Sequence, residues 1–310
     1  MTELSLARGF AGRRSRIGYD RARFAWLLNT PALVAITLLA AYPIVYSAWI
    51  SLHRYNLKRP NVFRFLGLDN FATIVAAPEF WSALWITVQF TLLVVITVSV
   101  LGVLVALLLN QKFPGRGIVR TLVLLPWAIP PVVNGLMWQW IYDSKIGALN
   151  GLLVSLGVLT EYRGWLSQPT SALLALAFAD VWNVLPLAVV LLLAALQKIP
   201  GELYESARMD GAGPFQLFRH VTFPWLAQTL LVVLILQTLS AIRAFDVIYV
   251  LTAGGPGTST TTLVWKTYLT TFENLDFGLG NAYAWMVSLI TFGFALVYFR
   301  VLWRRGDFET

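Results

Sequence analysis

Five stretches of this chain run for more than twenty residues without a fixed charge: between Arg23 and His53, Glu79 and Lys112, Arg120 and Asp143, His220 and Arg243, and Asp276 and Arg300. A bilayer core of about 30 Å needs about 20 apolar residues of helix, and backbone groups in lipid must be satisfied within the segment itself. Runs of this length are therefore expected to cross a membrane as helices. A sixth, from about Thr170 to Leu196, carries Asp180 but is otherwise apolar enough to insert. The expectation is an all-α integral membrane protein with six transmembrane helices. Composition agrees, since 12% charged residues and a mean hydropathy of +0.69 sit far from the roughly 25% charged content of soluble domains. Many of the Trp, Tyr and Phe residues lie near the ends of apolar runs, where amphipathic rings favour the headgroup region.

The net charge of +8 comes from short clusters between apolar spans rather than from one basic face, which argues for membrane topology and against nucleic acid. With the N-terminus inside, the cytoplasmic side receives the arginines of segment 1–23, then Lys112, Arg116, Arg120, Lys198, Arg208, Arg219, Arg300, Arg304 and Arg305. That is 15 of the 23 lysines and arginines, so both termini are expected in the cytoplasm. Loops 53–79, 143–169 and 246–279 then face outward. The organisation reads as a basic N-terminal segment 1–23, a first transmembrane helix 24–52, a transmembrane core 80–303 with a loop at 197–224, and a tail 304–310. The N-terminal apolar run is too long for a secretory signal and lacks a small-residue cleavage site. With no cysteine and only His53 and His220, thiol nucleophiles, thiolate metal sites and convergent catalytic constellations are not expected. Neither a catalytic nor a metal site is assigned.

The loop 197–224 is unusual for a connector. Pro200 and Gly201 break the preceding helix, and Glu202 to Met209 are good helix formers with Leu203, Tyr204 and Ala207 at helical spacing. Gly211 and Gly213 stop that helix, and Pro214 starts a second amphipathic turn through Phe215, Leu217 and Phe218 toward Pro224. The result is a helix-Gly-helix elbow at the membrane surface. Physics alone reads it equally well as an interfacial amphipathic hairpin.

The residues of that elbow carry a resemblance. Glu205-Ser206-Ala207, three residues, Gly211, nine residues, then Val221-Thr222-Phe223-Pro224 closely resembles the E-A-A-x3-G-x9-I-x-L-P signature of bacterial ABC importer permeases. Ser206, Val221 and Phe223 depart from the pattern while keeping small or apolar character. Ala41-Tyr42-Pro43-Ile44, Gly67-Leu68-Asp69-Asn70-Phe71, Leu124-Leu125-Pro126, Ile129-Pro130-Pro131-Val132-Val133 and the run from Phe245 to Pro256 look like the maltose-type carbohydrate permeases, in their short six-helix, MalF-like form. The resemblance implies a type I ABC importer permease fold with a cytoplasmic coupling-helix elbow over 202–221. It implies that Glu205, Ser206, Ala207, Arg208, Asp210 and Gly211 contact an ATP-binding subunit, and that the chain is a non-catalytic transport subunit moving a sugar-like solute by alternating access. Implied partners are a second homologous permease, two ATP-binding subunits that use ATP and Mg, and an extracytoplasmic solute-binding protein, in a bacterial or archaeal cell membrane. No cofactor is expected on this chain: no G-x4-G-K-[ST] occurs, and the nearest run, Gly254 to Thr260, has no lysine.

A polar group at membrane depth must face a cavity or a partner. By that rule the candidate substrate pathway is Asn134 and Trp138 on the third span, Asp180 and Asn183 one turn apart on the fourth, and Gln237, Ser240, Arg243 and Asp246 on or just beyond the fifth. Gln237, Ser240 and Ala241 are read as one face. In the maltose-type family the sugar contacts come from about these positions on the fourth and fifth spans. The same residue types also bond between helices, at roughly 0.6 to 2 kcal/mol, and the residues alone leave both readings open. Pro126, Pro130, Pro131 and Pro186 either free helix carbonyls along the pathway or serve packing. An ion-driven carrier, a membrane enzyme and a stand-alone channel each lack their usual marks: an internal repeat, a catalytic cluster, and a purpose for the elbow.

Overall fold

The computed structural model describes residues 24–306, with side chains through Arg300. The basic segment 1–23 and residues 307–310 of the tail lie outside the described residues. The helices are α1 Phe24–Ser51, α2 Asp69–Ala76, α3 Pro78–Asn110, α4 Arg116–Ala128, α5 Pro131–Ile141, α6 Ala148–Ser155, α7 Pro169–Leu196 and α8 Gly201–Met209. They continue with α9 Pro214–Ile242, α10 Asp246–Leu251, α11 Leu263–Tyr268 and α12 Phe277–Gly306, and a short hairpin pairs β1 His53–Arg54 with β2 Arg64–Phe65. α3, α5, α7 and α9 each begin on proline. Its fixed φ suits the first turn, and the missing N–H falls where no intrahelical partner exists.

Five helices, α1, α3, α7, α9 and α12, are long and apolar enough to span a bilayer, and the bent α4–α5 pair has the length and composition of a sixth if its two arms are taken together. That third expected span is not one straight helix: it bends by 100° at Ile129 and Pro130. Both residues are extended, at φ −82°, ψ 125° and φ −56°, ψ 141°. A residue that precedes proline is pushed out of the helical region, and tandem Pro130-Pro131 imposes this twice. Two other in-helix prolines, Pro43 and Pro224, follow directly on π-helical turns, Thr37–Ala41 and Phe218–Thr222. The wider turn moves the carbonyl four residues back away from the pyrrolidine ring, with which an α-helical carbonyl would clash.

The core is the packing of α3 along α7, with α9 closing over both. Small residues let these backbones approach, as they do where lipid supplies no hydrophobic drive between helices. Ala106, Ala172, Ala179 and Ala188 are fully buried, and a Cβ on Gly102 would lie 3.2 Å from Leu192 Cδ1. Thr238 Oγ1 and Tyr298 Oη, 2.8 Å apart, tie α9 to α12. By contrast α1 buries only Ile50 and Ser51 of its residues. It meets α12 near its end, where Trp285 Nε1 donates to Ser47 Oγ at 3.2 Å.

At that end the first and last spans are knitted together. Asn70 Nδ2 donates to the Ser51 and His53 carbonyls at 2.7 and 3.0 Å, Leu57 N–H to Leu275 O at 2.9 Å, and Gly278 N–H to Tyr55 O at 3.0 Å. Loops 53–79 and 246–279 thus share one end of the bundle. Asp143 opens the remaining loop at 143–169, accepting from the Lys145 and Ile146 amides at 2.7 and 2.9 Å. The amides of Ile146 and Lys145 hold its carboxyl below the usual carboxylate range. Gly278 is packed against the β1 backbone so closely that a Cβ would overlap the His53 carbonyl. We expect Gly278→Ala to cost about 1–3 kcal/mol of stability by overpacking, seen as an earlier heat-induced loss of the monodisperse protein in detergent. An unchanged transition would show that the two loops can separate freely.

Candidate functional site

The elbow joins α7 and α9, two of the helices that line a polar cavity in the bundle. α8 ends at Met209, and the chain reverses through Gly211, whose φ is +83°. Gly211 N–H donates to Arg208 O at 3.0 Å and Ala212 N–H to Ala207 O at 2.9 Å. These two bonds make a Schellman ending, which satisfies the last carbonyls of the helix and requires a left-handed residue at Gly211. The second arm is braced by Gly213 N–H on Gln216 Oε1 at 2.8 Å and by Tyr204 Oη against Thr222 Oγ1 at 2.9 Å. Glu205, Ser206, Arg208, Met209, Asp210 and Phe215 are left exposed, with Met209 at 89%. The elbow therefore presents mixed charge around the bare apolar side chains of Met209 and Phe215, which nothing among the described residues covers.

Toward the middle of the bundle the bend between α4 and α5 leaves the Ile129 carbonyl without a backbone donor and the Pro126 carbonyl with only the Ile129 N–H, at 3.2 Å. Asn183 of α7 takes both, its Nδ2 donating at 2.7 and 3.0 Å. Beside this junction lies a cavity of about 310 Å³ lined by Pro131, Asp180, Asn183, Ser240, Arg243, Phe245 and Asp246 among others. Ligand sites range from about 300 to 1,000 Å³, so one or two sugar-sized rings are the right scale. The Arg243 Nε donates to Leu239 O at 2.9 Å, which sets the guanidinium at the α9 terminus, and it forms no ion pair with Asp180 or Asp246. The wall thus holds separate donors and acceptors. Phe245 continues it into a ring stack with Tyr249, Trp265 and Tyr268, at centroid distances of 5.6, 5.9 and 5.1 Å.

Asp180, Asn183, Ser240, Arg243 and Asp246, expected from the sequence, are brought to this one cavity. Asn134, Trp138 and Gln237 are not. Asn134 Nδ2 donates to Ala179 O at 3.0 Å, and Trp138 packs on Tyr142, Phe178 and Trp182. Gln237 is 3% exposed and buried beside Ala241, while Ser240 is exposed into the cavity, so the expected single face of α9 divides between two surroundings. Asn134 Oδ1, Trp138 Nε1 and Gln237 Oε1 are all buried without a hydrogen-bond partner. Sequence reasoning gave Phe245 no pathway role, because it falls between helices where no periodicity marks a face.

A second cavity, of about 750 Å³ between α3, α5, α6 and α7, is a different kind of space. Leu93, Leu152, Leu174 and Phe178 dominate it, and Arg163 lies at its lining over Trp165, 5.4 Å from the ring centroid. Such walls suit hydrocarbon and offer little to a hydroxylated solute. The run Gly254 to Thr262 is packed on itself. Thr260 Oγ1 lies within hydrogen-bond reach of Gly255 O and Thr252 Oγ1, both at 2.8 Å, and Thr261 Oγ1 donates to Gly254 O at 3.1 Å. A Cβ on Gly254 would collide with the Trp265 indole.

A polytopic helical bundle with a polar intramembrane cavity and a surface elbow between the helices that line it defines a membrane transport subunit. Comparison with known proteins gives the family. Residues 98–302 match the model of the binding-protein-dependent transport system inner membrane component. The chain is 38% identical over 291 residues to the trehalose/maltose transport system permease protein MalF of Thermococcus litoralis, covering 93% of this chain and 96% of that protein. It is 34% identical over 278 residues to the sulfoquinovosyl glycerol transport system permease protein SmoG of Agrobacterium fabrum, covering 90% of each. The crystal structure of a bacterial ABC transporter involved in import of the acidic polysaccharide alginate shares the fold, with a TM-score of 0.80 at 21% identity over 94% of this chain and 99% of that one. The chain belongs to the binding-protein-dependent transport system inner membrane component family, as an ABC transporter permease with an all-α membrane fold.

Proposed function

We propose that this chain is one permease subunit of an ATP-driven importer that carries a sugar or glycoside into the cytoplasm through the 310 Å³ cavity. The observation that carries the reading is connectivity: α7 and α9 line the cavity, and the elbow is the only covalent link between them. From Asn183 to Gln197 is about 21 Å of helix, so a displacement of the elbow is delivered rigidly to the cavity wall. A second permease of the same family completes the pathway. Two ATP-binding subunits use ATP and Mg, one of them docking on Glu205, Ser206, Ala207, Arg208, Asp210 and Gly211, and a solute-binding protein delivers the solute to the opposite end. Both termini and the 197–224 elbow are cytoplasmic, on the side favoured by the Lys and Arg distribution. The relatives' solutes, trehalose, maltose and sulfoquinovosyl glycerol, are glycosides. Separate donors and acceptors next to Phe245 suit such molecules, whose edges hydrogen-bond and whose ring faces stack.

Coupling requires two states with different contacts for ATP and solute. The unpartnered Asn134 Oδ1, Trp138 Nε1 and Gln237 Oε1 support this, since buried polar atoms left bare in one state have partners to gain in another. The primary test is the ATPase rate of the copurified membrane complex, with and without binding protein and candidate glycosides. Stimulation by one glycoside, with an ATP-binding subunit present, supports the reading and identifies the solute. Uptake that follows an ion gradient with no ATP-binding subunit overturns it.

Arg243→Gln and Asp180→Asn address the cavity. Removing one charged hydrogen bond to a ligand costs about 1.5–3 kcal/mol, so uptake at subsaturating solute should fall about tenfold or more while the complex still assembles. Unchanged uptake in both variants would move the pathway away from this cavity.

A further inference from the structure

Where α3, α4 and α7 come together at the elbow end of the bundle, a cavity of about 250 Å³ has one cationic group and otherwise mostly apolar walls. Val123, Leu124, Val189 and Leu193 form the walls, and Arg120 and Gln197 are the polar members. Arg120 Nη2 donates to the carbonyl of Leu109, near the last turn of α3, at 2.8 Å. Its Nε is buried and has no acceptor. No aspartate or glutamate occurs between Glu79 and Asp143 or between Asp180 and Glu202, so none of the segments lining this cavity brings a counter-ion. Lys112, Arg116 and Lys198 add further positive charge at the same ends of these helices.

A guanidinium does not discharge by losing its proton, and a buried donor without an acceptor costs free energy. Held at the depth where three helices end, such a cation wants an anion that arrives with its own apolar surface. We propose that this cavity holds one anionic phospholipid of the cytoplasmic leaflet, its phosphate on Arg120 and an acyl chain against Val123, Leu124, Val189 and Leu193. The proposal rests on the reading that the elbow end is cytoplasmic. Charge complementarity selects the lipid: arginine pairs with phosphate through charge-assisted bonds, and the cytoplasmic leaflet carries the anionic headgroups. The bound lipid would bridge α4 to α7 beside Gln197, directly ahead of the elbow.

The test is lipid binding, which does not depend on transport. The purified complex is titrated with phosphatidylglycerol or phosphatidylcholine of identical chains, and bound lipid is counted by native mass spectrometry. Wild type should take up one phosphatidylglycerol about tenfold more tightly than phosphatidylcholine, a factor typical of one added charged contact. Arg120→Gln should abolish that preference, Arg120→Lys should keep part of it, and Arg116→Gln, on an exposed residue nearby, should leave it intact. Val190→Phe fills the same cavity from its exposed side and should lower occupancy without touching the charge, so the result stands even if Arg120→Gln does not assemble. Equal binding of the two lipids, full retention in Arg120→Gln, or an equal loss in Arg116→Gln overturns the proposal. Displacement by inorganic phosphate alone would assign the site to a free anion instead and equally overturn it.

Discussion

Gly211→Pro should abolish solute-stimulated ATPase, by about a hundredfold or more, equivalent to about 2.7 kcal/mol at the coupled step, while the membrane subunits still copurify. Proline fixes φ near −65°, whereas Gly211 sits at +83°, and the substitution also deletes the N–H that donates to Arg208 O. The Schellman ending cannot form, and the second arm of the elbow leaves α8 in another direction. Space is not the obstacle, because a Cβ at Gly211 would have nothing within 4 Å. Handedness is, joined in the proline variant by the lost N–H. The series should therefore be graded: Gly211→Asn close to wild type, since asparagine tolerates the left-handed region, Gly211→Ala impaired by about 1–2 kcal/mol, and Gly211→Pro inactive. Gly211 is exposed and distant from the α3–α7 core, so assembly should survive all three. Full stimulation in the proline variant would mean that the elbow does not transmit the ATPase cycle.

The second large effect belongs to Asn183→Leu. The side chains are of similar size, so the change leaves no void, but the Pro126 and Ile129 carbonyls lose their shared donor at once. Pro126 O keeps the Ile129 N–H at 3.2 Å, whereas Ile129 O has no other donor, and one acceptor left bare costs about 1–3 kcal/mol. A loss of about 1–3 kcal/mol is expected on that basis. It should appear as a lower midpoint in heat or denaturant unfolding of the purified complex, in the absence of solute. Asn183→Asp is the companion variant, since a carboxyl can donate to at most one of the two carbonyls even when protonated. Wild-type stability in both would show that the α4–α5 bend is held by packing alone. Transport in either variant reports on two things together, because Asn183 also lines the polar cavity.

Particular elements show where sequence reading held and where it could not. The elbow was legible to within a residue: Pro200, Gly211 and Pro214 bracket α8 and the start of α9, because proline and glycine act on the local backbone. The break in the third span was half legible. Pro126, Pro130 and Pro131 left freed carbonyls and packing as alternatives, and the 100° angle and the role of Asn183, over fifty residues away, depend on a neighbouring helix. The same limit divided the pathway candidates. Spacing along α9 puts Gln237 and Ser240 60° apart around the helix axis at about 100° per residue. Which side of that arc meets a cavity, and which meets packed protein, is settled by where α3 and α7 lie.

The sequence by itself determined the membrane environment, the spans, the elbow and the set of polar residues carried into the bilayer. All of these follow from rules that act within one segment: the length of an uncharged run, the fixed φ of proline, the left-handed freedom of glycine. Tertiary structure decided which of those polar groups meet. It gathered Asp180, Asn183, Ser240, Arg243 and Asp246 around one cavity, turned Asn134 and Gln237 into the packing and set Trp138 on the wall of the apolar cavity. It also left Arg120 without an anion. Periodicity fixes the relative angle of side chains on one helix, but the absolute rotation of that helix against its neighbours is set by the fit of small residues such as Gly102 and Gly135 to Leu192 and Val250, and no single segment contains both halves of that fit.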